Sequence, residues 1–302
     1  MYLNILLGSV EQGLLYSIMV LGVYVTFRVL DYADLTVDGS FTLGAAVVAT
    51  LITAGYDPWL GMLVAIAAGA VAGMVTGALH TQFGIAPLLS GILSMIALYS
   101  VNLRVMGRAN VTLLRMDTIF TSIVDLGISK GWVIIFVGVA VTALTVLLLW
   151  WFLNTELGFA MRATGDNTQM IRSLGVNTNT MKIIGLGISN AMVALSGALV
   201  AQYQSFADIG MGIGMIVIGL ASVIIGEVLF GTPTIMRTLI AVALGSVVYR
   251  LVIAAVLQMG LKPTDLKLFT ALIVTVALAS PIVKSKLQRL VETGKDGRNA
   301  EG

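Results

Sequence analysis

The sequence predicts an all-α, polytopic membrane protein with about nine transmembrane helices. Apolar residues make up 58% of the 302 positions and charged residues 11%, where a soluble domain carries roughly 25% charge. Mean hydropathy is +1.00. Apolar stretches of spanning length recur along the whole chain, punctuated by glycine, proline and charge.

The first stretch, 5–28, has no basic segment before it and outruns a cleavable signal, so it reads as a retained helix. The next three fall at 40–54, 59–79 and 86–102, the second and fourth spans being short. In the third, Ala65, Gly69, Gly73 and Gly77 recur every fourth residue, a small-residue ridge suited to close helix packing in lipid. The fifth, 131–153, is the best marked: from Trp132 to Trp151 a helix rises about 29 Å and puts an indole at each interface. Four more follow at 183–203, 212–230, 235–259 and 266–283. An odd number of crossings places the termini on opposite sides. With the basic tail at 284–302 inside, ten Lys/Arg lie on the cytoplasmic side (Arg28, three in 155–182, Arg237 and five in the tail). Six (Arg104, Arg108, Arg115, Lys130, Lys262 and Lys267) lie outside, the expected sign of bias. The chain therefore reads as one transmembrane domain, 1–302, with a cytoplasmic loop at 155–182.

Several chemistries are excluded. There is no cysteine, hence no disulfide, thiol nucleophile or Cys-bound metal, and a lone histidine, His80, reads as a polar residue at a helix end. No P-loop, nucleophile elbow or HExxH motif is present. No catalytic residue, metal or cofactor is therefore expected, and a net charge of +2 gives no reason to expect nucleic acid.

Two polar segments carry the candidate function. In Thr155–Lys182, Asp166 or Asn167 can N-cap a short helix carrying Met170, Ile171 and Leu174, and Gly175 can close it. So short a helix with an apolar face needs a partner's groove. In Asp31–Leu43, three carboxylates precede Gly39 and Ser40. The segment is either a break at membrane depth facing a polar solute or a solvated loop that N-caps the second helix through Asp38 or Ser40. Ala33, Asp34 and Leu35 after the first helix are echoed by Ala207, Asp208 and Ile209 after the sixth, which admits an inverted repeat of about five helices per half. A path for solute is expected along Asp34, Asp38, Gly39, Ser40, Asp208 and Gly212. Glu11, Gln12, Glu227 and Arg250 lie at membrane depth and should face protein or water. Glu227 and Arg250 are a candidate pair, and Glu11 can reach headgroups.

These residues resemble a known family. Gly158, Arg162, Ala163, Gly165, Asn167 and the run Leu174, Gly175, Val176, Asn177 are similar to the cytoplasmic consensus of ABC importer permeases of the ribose and branched-chain amino-acid superfamily. Asp34, Leu35, Thr36, Val37, Gly39 and Ser40 resemble the DLSVGS run of its sugar branch, with Asp38 inserted, and a Gly226–Gly231 turn completes the set. The resemblance implies a bacterial plasma-membrane subunit whose 155–182 loop docks on a cytoplasmic ABC ATPase. It also implies an extracytoplasmic solute-binding protein and a second, identical permease subunit. An amino acid is the expected solute. The competing reading is an ATP-independent secondary transporter or channel, which needs no docking helix.

Overall fold

The computed structural model describes residues 2–124 and 130–258 and the single positions Leu268, Leu272 and Thr275. Its elements are α1 (Tyr2–Tyr24, continued by a π-helical turn Val25–Val29), α2 (Thr36–Thr53), α3 (Pro58–Thr81), α4 (Pro87–Met106), β1 (Asn110–Thr112), α5 (Ile119–Val124) and α6 (Lys130–Leu153). After these come α7 (Glu156–Asp166), α8 (Thr168–Ser173), α9 (Thr178–Gln204), β2 (Phe206–Asp208), α10 (Met215–Phe230) and α11 (Ile235–Gln258). Seven helices are long and apolar enough to cross a membrane, and α10 is a shorter apolar helix. Eight of the nine expected spans thus fall on helices. Of the ninth, 266–283, only Leu268, Leu272 and Thr275 are described, and the tail at 284–302 lies outside the described residues.

Several boundaries differ from expectation, among them the start of α9 at Thr178, five residues before the expected 183. The second and fourth spans are not short, because α2 starts at Thr36 and α4 continues to Met106, whereas the seventh span, α10, has only 16 residues. Gly226 is not part of a turn either. It lies inside α10, where a side chain would strike the Ala241 carbonyl, and the turn begins at Gly231.

Local chemistry sets the helix ends. Asp57 accepts from Trp59 N at 2.7 Å with Pro58 in the first turn of α3, and Pro87 opens α4, whose end is closed by left-handed Gly107. Asn177 caps α9 by accepting from Asn179 N and Thr180 N at 3.1 and 3.3 Å.

α9 is the central post, packed against α1, α2 and α3, with α4 outside α2 and α3. The α10–α11 hairpin and α6 flank α1. The α3 ridge faces α9: a Cβ at Gly69 would strike the Asn190 carbonyl and one at Gly73 the Leu186 carbonyl, while one at Gly77 would lie 2.9 Å from Ile183 Cα. Packing of this kind lets backbones approach where lipid offers no hydrophobic drive. On α6 the indoles of Trp132 and Trp151 both point outward.

The two ends of the bundle are built differently. At one end β1 pairs antiparallel with β2, Val111 opposite Ala207, and Leu113 N donates to the Ser205 carbonyl at 2.8 Å. At the other end lie α7, α8 and the ends of α1, α3 and α10. There His80 Nδ1 meets the Ile85 carbonyl at 2.7 Å, and Lys182 Nζ donates to His80 Nε2 at 3.1 Å.

Candidate functional site

Polar chemistry in this apolar bundle is gathered at two interior breaks and one surface connector. The first break, residues 30–35, follows the π turn of α1, in which Leu30 N reaches back five residues to the Val25 carbonyl at 3.0 Å. Widened turns of this kind are frequent at functional sites. Asp34 is buried, and a carboxylate there must be fully hydrogen-bonded. Its Oδ1 accepts from Thr36 N at 2.9 Å and its Oδ2 from Asn190 Nδ2 at 2.7 Å. Thr36 Oγ1 continues to Thr76 Oγ1 at 2.8 Å, and Thr76 donates to Ser94 Oγ at 2.7 Å, so one polar chain joins α2, α3, α4 and α9.

Gly39 and Ser40 are not part of this break. They lie one turn into α2 and are buried, Gly39 against Leu98 of α4 and its carbonyl accepting from Asn102 Nδ2 at 3.1 Å. Asp34 fixes Thr36 in place, so the helix starts four residues earlier than the polar run suggests. Neither Asp38 nor Ser40 caps α2. Ser40 Oγ has no hydrogen-bond partner among the described residues, and neither does Asn102 Oδ1.

The second break, 209–214, leads from β2 into α10. Level with Arg28 at the end of α1, Glu227 lies twelve residues after Met215, a rise of about 18 Å that puts the start of α10 near the middle of α1. The Arg28–Glu227 ion pair sets this level, and Gly219 against Val23 agrees with it. Here the second break meets the first turns of α2. Asp38 reaches from α2 to accept from Gly214 N at 2.8 Å and Ile216 N at 2.9 Å, and Gly212 N donates to Thr42 Oγ1 at 3.1 Å. Of the six expected path residues, Asp38 and Gly212 meet at this junction, while Gly39 faces α4 and Ser40 is buried in the same turn of α2. Asp34 is held one turn away by Asn190. Asp208 stands apart on β2, where it accepts from Gly210 N at 2.8 Å and from Asn110 Nδ2 at 3.4 Å.

The connector between α6 and α9 holds two helices where the sequence suggested one. Thr155 caps α7 by accepting from Gly158 N at 3.3 Å, and Asp166 is the exposed last residue of α7. Asn167, not Asp166, caps α8, accepting from Met170 N at 3.0 Å. Gly175 follows at φ +89°, a left-handed conformation that suits glycine. Met170 and Leu174 are 58% and 67% exposed, but Ile171 is turned into the protein at 9%, so the free apolar face is narrower than the spacing implied. α7 lies against the break, with no room for a Cβ between Gly165 and the Val29 carbonyl. Beside it, polar clefts of about 520 and 680 Å³ share Tyr24, Arg28, Val29 and Arg162.

The membrane-depth charges pair differently from expectation. Glu227 bonds Arg28 in a two-pronged ion pair, Nε to Oε1 at 2.9 Å and Nη2 to Oε2, rather than Arg250. The guanidinium of Arg250 instead lies 3.9 Å over the Tyr16 ring. Glu11 does not snorkel: it is buried and accepts from Tyr203 OH at 3.1 Å. The sequence reading missed Asn190, Thr76, Ser94 and Asn102, although each is a polar residue within an apolar helix, the signal that had singled out Glu227. Among the described residues no group of three His, Asp or Glu is gathered as a metal would need.

Residues 5–279 match the family described as branched-chain amino acid transport system / permease component. The chain belongs to this family. It is the permease subunit of an ABC transporter, not its catalytic subunit, and sits in the bacterial plasma membrane as a multi-pass protein. Permeases of this family work with an ATPase and a solute-binding protein. The permease is 42% identical over 284 residues to the tyrosine transport system permease protein of Clostridioides difficile, covering 94% of each chain. It is 34% identical over 282 residues to an uncharacterised protein of Rickettsia prowazekii, covering 92% of this chain and 98% of that one. The autoinducer 2 import system permease protein LsrC of Yersinia pseudotuberculosis is 30% identical over 213 residues, 68% of this chain and 58% of that one. No solved structure matches the chain.

Proposed function

We propose that this permease imports an amino acid, aromatic in the first instance, and that the face bearing α7 and α8 is cytoplasmic and docks the ATPase. The observation that carries the reading is α8. A six-residue helix cannot persist in water on its own hydrogen bonds, yet it is capped by Asn167 and closed at Gly175 while holding Met170 and Leu174 out from the subunit. A partner's groove accounts for that arrangement. Asp166 and Asn167 set its angle, and Ile171 anchors it to its own subunit. The relative named for tyrosine transport, alike over nearly the full length of both chains, supports the aromatic amino acid.

The solute path runs along the junction of α2 with the second break, with Asp34, Asp38, Gly39, Ser40 and Gly212 about it and Asp208 at its outer mouth. Ile213 and Val217 are exposed apolar residues at that level, and a second, identical copy closes the path from their side. The binding protein delivers solute at the face bearing the β1–β2 ribbon.

The test is reconstitution of the permease with its ATPase and solute-binding protein. Leu174→Asp should leave the subunit in the membrane but abolish ATPase copurification and uptake of radiolabelled tyrosine, because it puts a charge where an apolar groove must close. Unchanged copurification and uptake would remove α8 from the docking role. Uptake of a non-aromatic solute alone by the wild type would correct the solute class.

A further inference from the structure

A helix that begins inside a membrane presents main-chain N–H groups that lipid cannot satisfy. Two helices of this permease begin in that way, and each first turn is met by a carboxylate. At α2 the arrangement is local, Asp34 accepting from Thr36 N two residues on. At α10 it is supplied by another helix. Asp38 gives one carboxylate oxygen to Gly214 N and the other to Ile216 N, at 2.8 and 2.9 Å. One turn along α2, Thr42 Oγ1 accepts from Gly212 N at 3.1 Å. Gly212 leaves no room for a Cβ between its own backbone, the Asp38 carbonyl and Thr42 Oγ1, so the two backbones are in direct contact.

The rest of α10 leans mainly on α11 and α1, not on α2. Residues 212–216 are therefore fastened across the junction by three hydrogen bonds, two of them charge-assisted and so roughly twice as strong as neutral ones. The fastened strip is not buried as a whole. Ile213, in its middle, is 67% exposed.

We infer that Asp38 is a positioning residue for transport: its carboxylate, offered from α2, latches the start of α10 and holds the 209–214 segment in the geometry that the path requires. The latch also occupies the positive end of α10, so a solute carboxylate finds that end already neutralised. The inference rests on the proposal that solute passes this junction.

The experiment uses the complete transporter with a single cysteine at Ile213, in a chain that has no other. Two rates are measured: modification of that cysteine by a membrane-impermeant thiol reagent added outside, and tyrosine uptake. Asp38→Asn keeps the side-chain shape but loses the charge and one acceptor. It should raise the modification rate severalfold and lower uptake at least tenfold, while ATP hydrolysis stimulated by the binding protein persists. Asp38→Glu keeps the charge and should recover part of the uptake. Thr42→Val is nearly isosteric and loosens only the third bond, so it should act in the same direction by a smaller factor. Modification and uptake both within twofold of wild type in Asp38→Asn would overturn the latch. So would loss of the assembled complex in Asp38→Asn and Thr42→Val alike, which would make these residues props of the fold alone. Faster modification with normal uptake would uphold the latch and instead refute the placement of the path.

Discussion

Arg28 is half exposed at 48%, whereas its partner Glu227 retains only 13% of its side-chain surface. That asymmetry sets what each removal costs. Solvent screens the arginine, so the pair itself is worth only about 0.5–1 kcal/mol despite its two-pronged geometry. Removing Arg28 adds the cost of a nearly buried, unpaired carboxylate. Arg28→Ala should therefore destabilise more than Glu227→Gln, and the double charge reversal Arg28→Glu with Glu227→Arg should recover most of the loss, measured by thermal unfolding in detergent. Asn190 poses the sharper case, because among the described residues it is the one side chain outside the Asp34 turn that bonds that buried carboxylate. Asn190→Ala should cost about 1.5–3 kcal/mol, the range for a hydrogen bond to a charged group. Combined with Asp34→Ala it should cost less than the sum, since the two act as one unit. Neither partnership was legible in the sequence. A charge at membrane depth such as Glu227 declares that it needs a partner, but Arg28, read as cytoplasmic, is 199 positions away, and only the packing of α10 on α1 brings the two level.

The helices themselves were far more legible than their starts. Spanning length and apolar composition mark α3, α6 and α11 to within two residues, whereas α9 starts five residues before its apolar stretch; the four-residue spacing of Ala65, Gly69, Gly73 and Gly77 marks the α3 face that meets α9. The starts of α2 and α10 fall differently because their first-turn donors are met by the carboxylates of Asp34 and Asp38 within the protein. The same principle doubled the surface helices: Thr155 ahead of Glu156 is a start signal of the same kind as Asn167 ahead of Thr168. Contact at the ridge makes a graded prediction. Gly73→Ala forces a Cβ into the Leu186 carbonyl, whereas Gly8 has open space around it. The first should cost about 1–3 kcal/mol by overpacking and lower the yield of folded permease in detergent. Gly8→Ala should be neutral or slightly stabilising, since alanine favours a helix.

At the scale of the whole molecule, the two ends of the bundle differ in kind: a strand ribbon closes one and two short helices stand on the other. The proposed orientation puts α7 and α8 in the cytoplasm, and the cysteine-free background makes it measurable. Ser173→Cys should react with an impermeant reagent only after cells are opened, and Arg115→Cys, beside the ribbon, should react in intact cells. The reverse pattern would invert the molecule and move the docking face with it. Charge bias along the sequence points to the same orientation through its sign alone, whereas the ribbon and the meeting of Asp38 with α10 lay beyond reach because they join residues far apart in the chain.

The contact between α3 and α9 also bears on how such a chain can change over generations. Where a Cβ on one helix would strike a main-chain carbonyl on the other, no exchange of side chains elsewhere makes room; a 24-residue helix would have to shift as a body. The opposite face of α3, with Leu63, Val71 and Val75 exposed, answers only to the requirement of being apolar. Divergence among relatives should therefore collect on that outer face and spare Gly69 and Gly73, leaving a record of the bundle's geometry in which positions are free to drift.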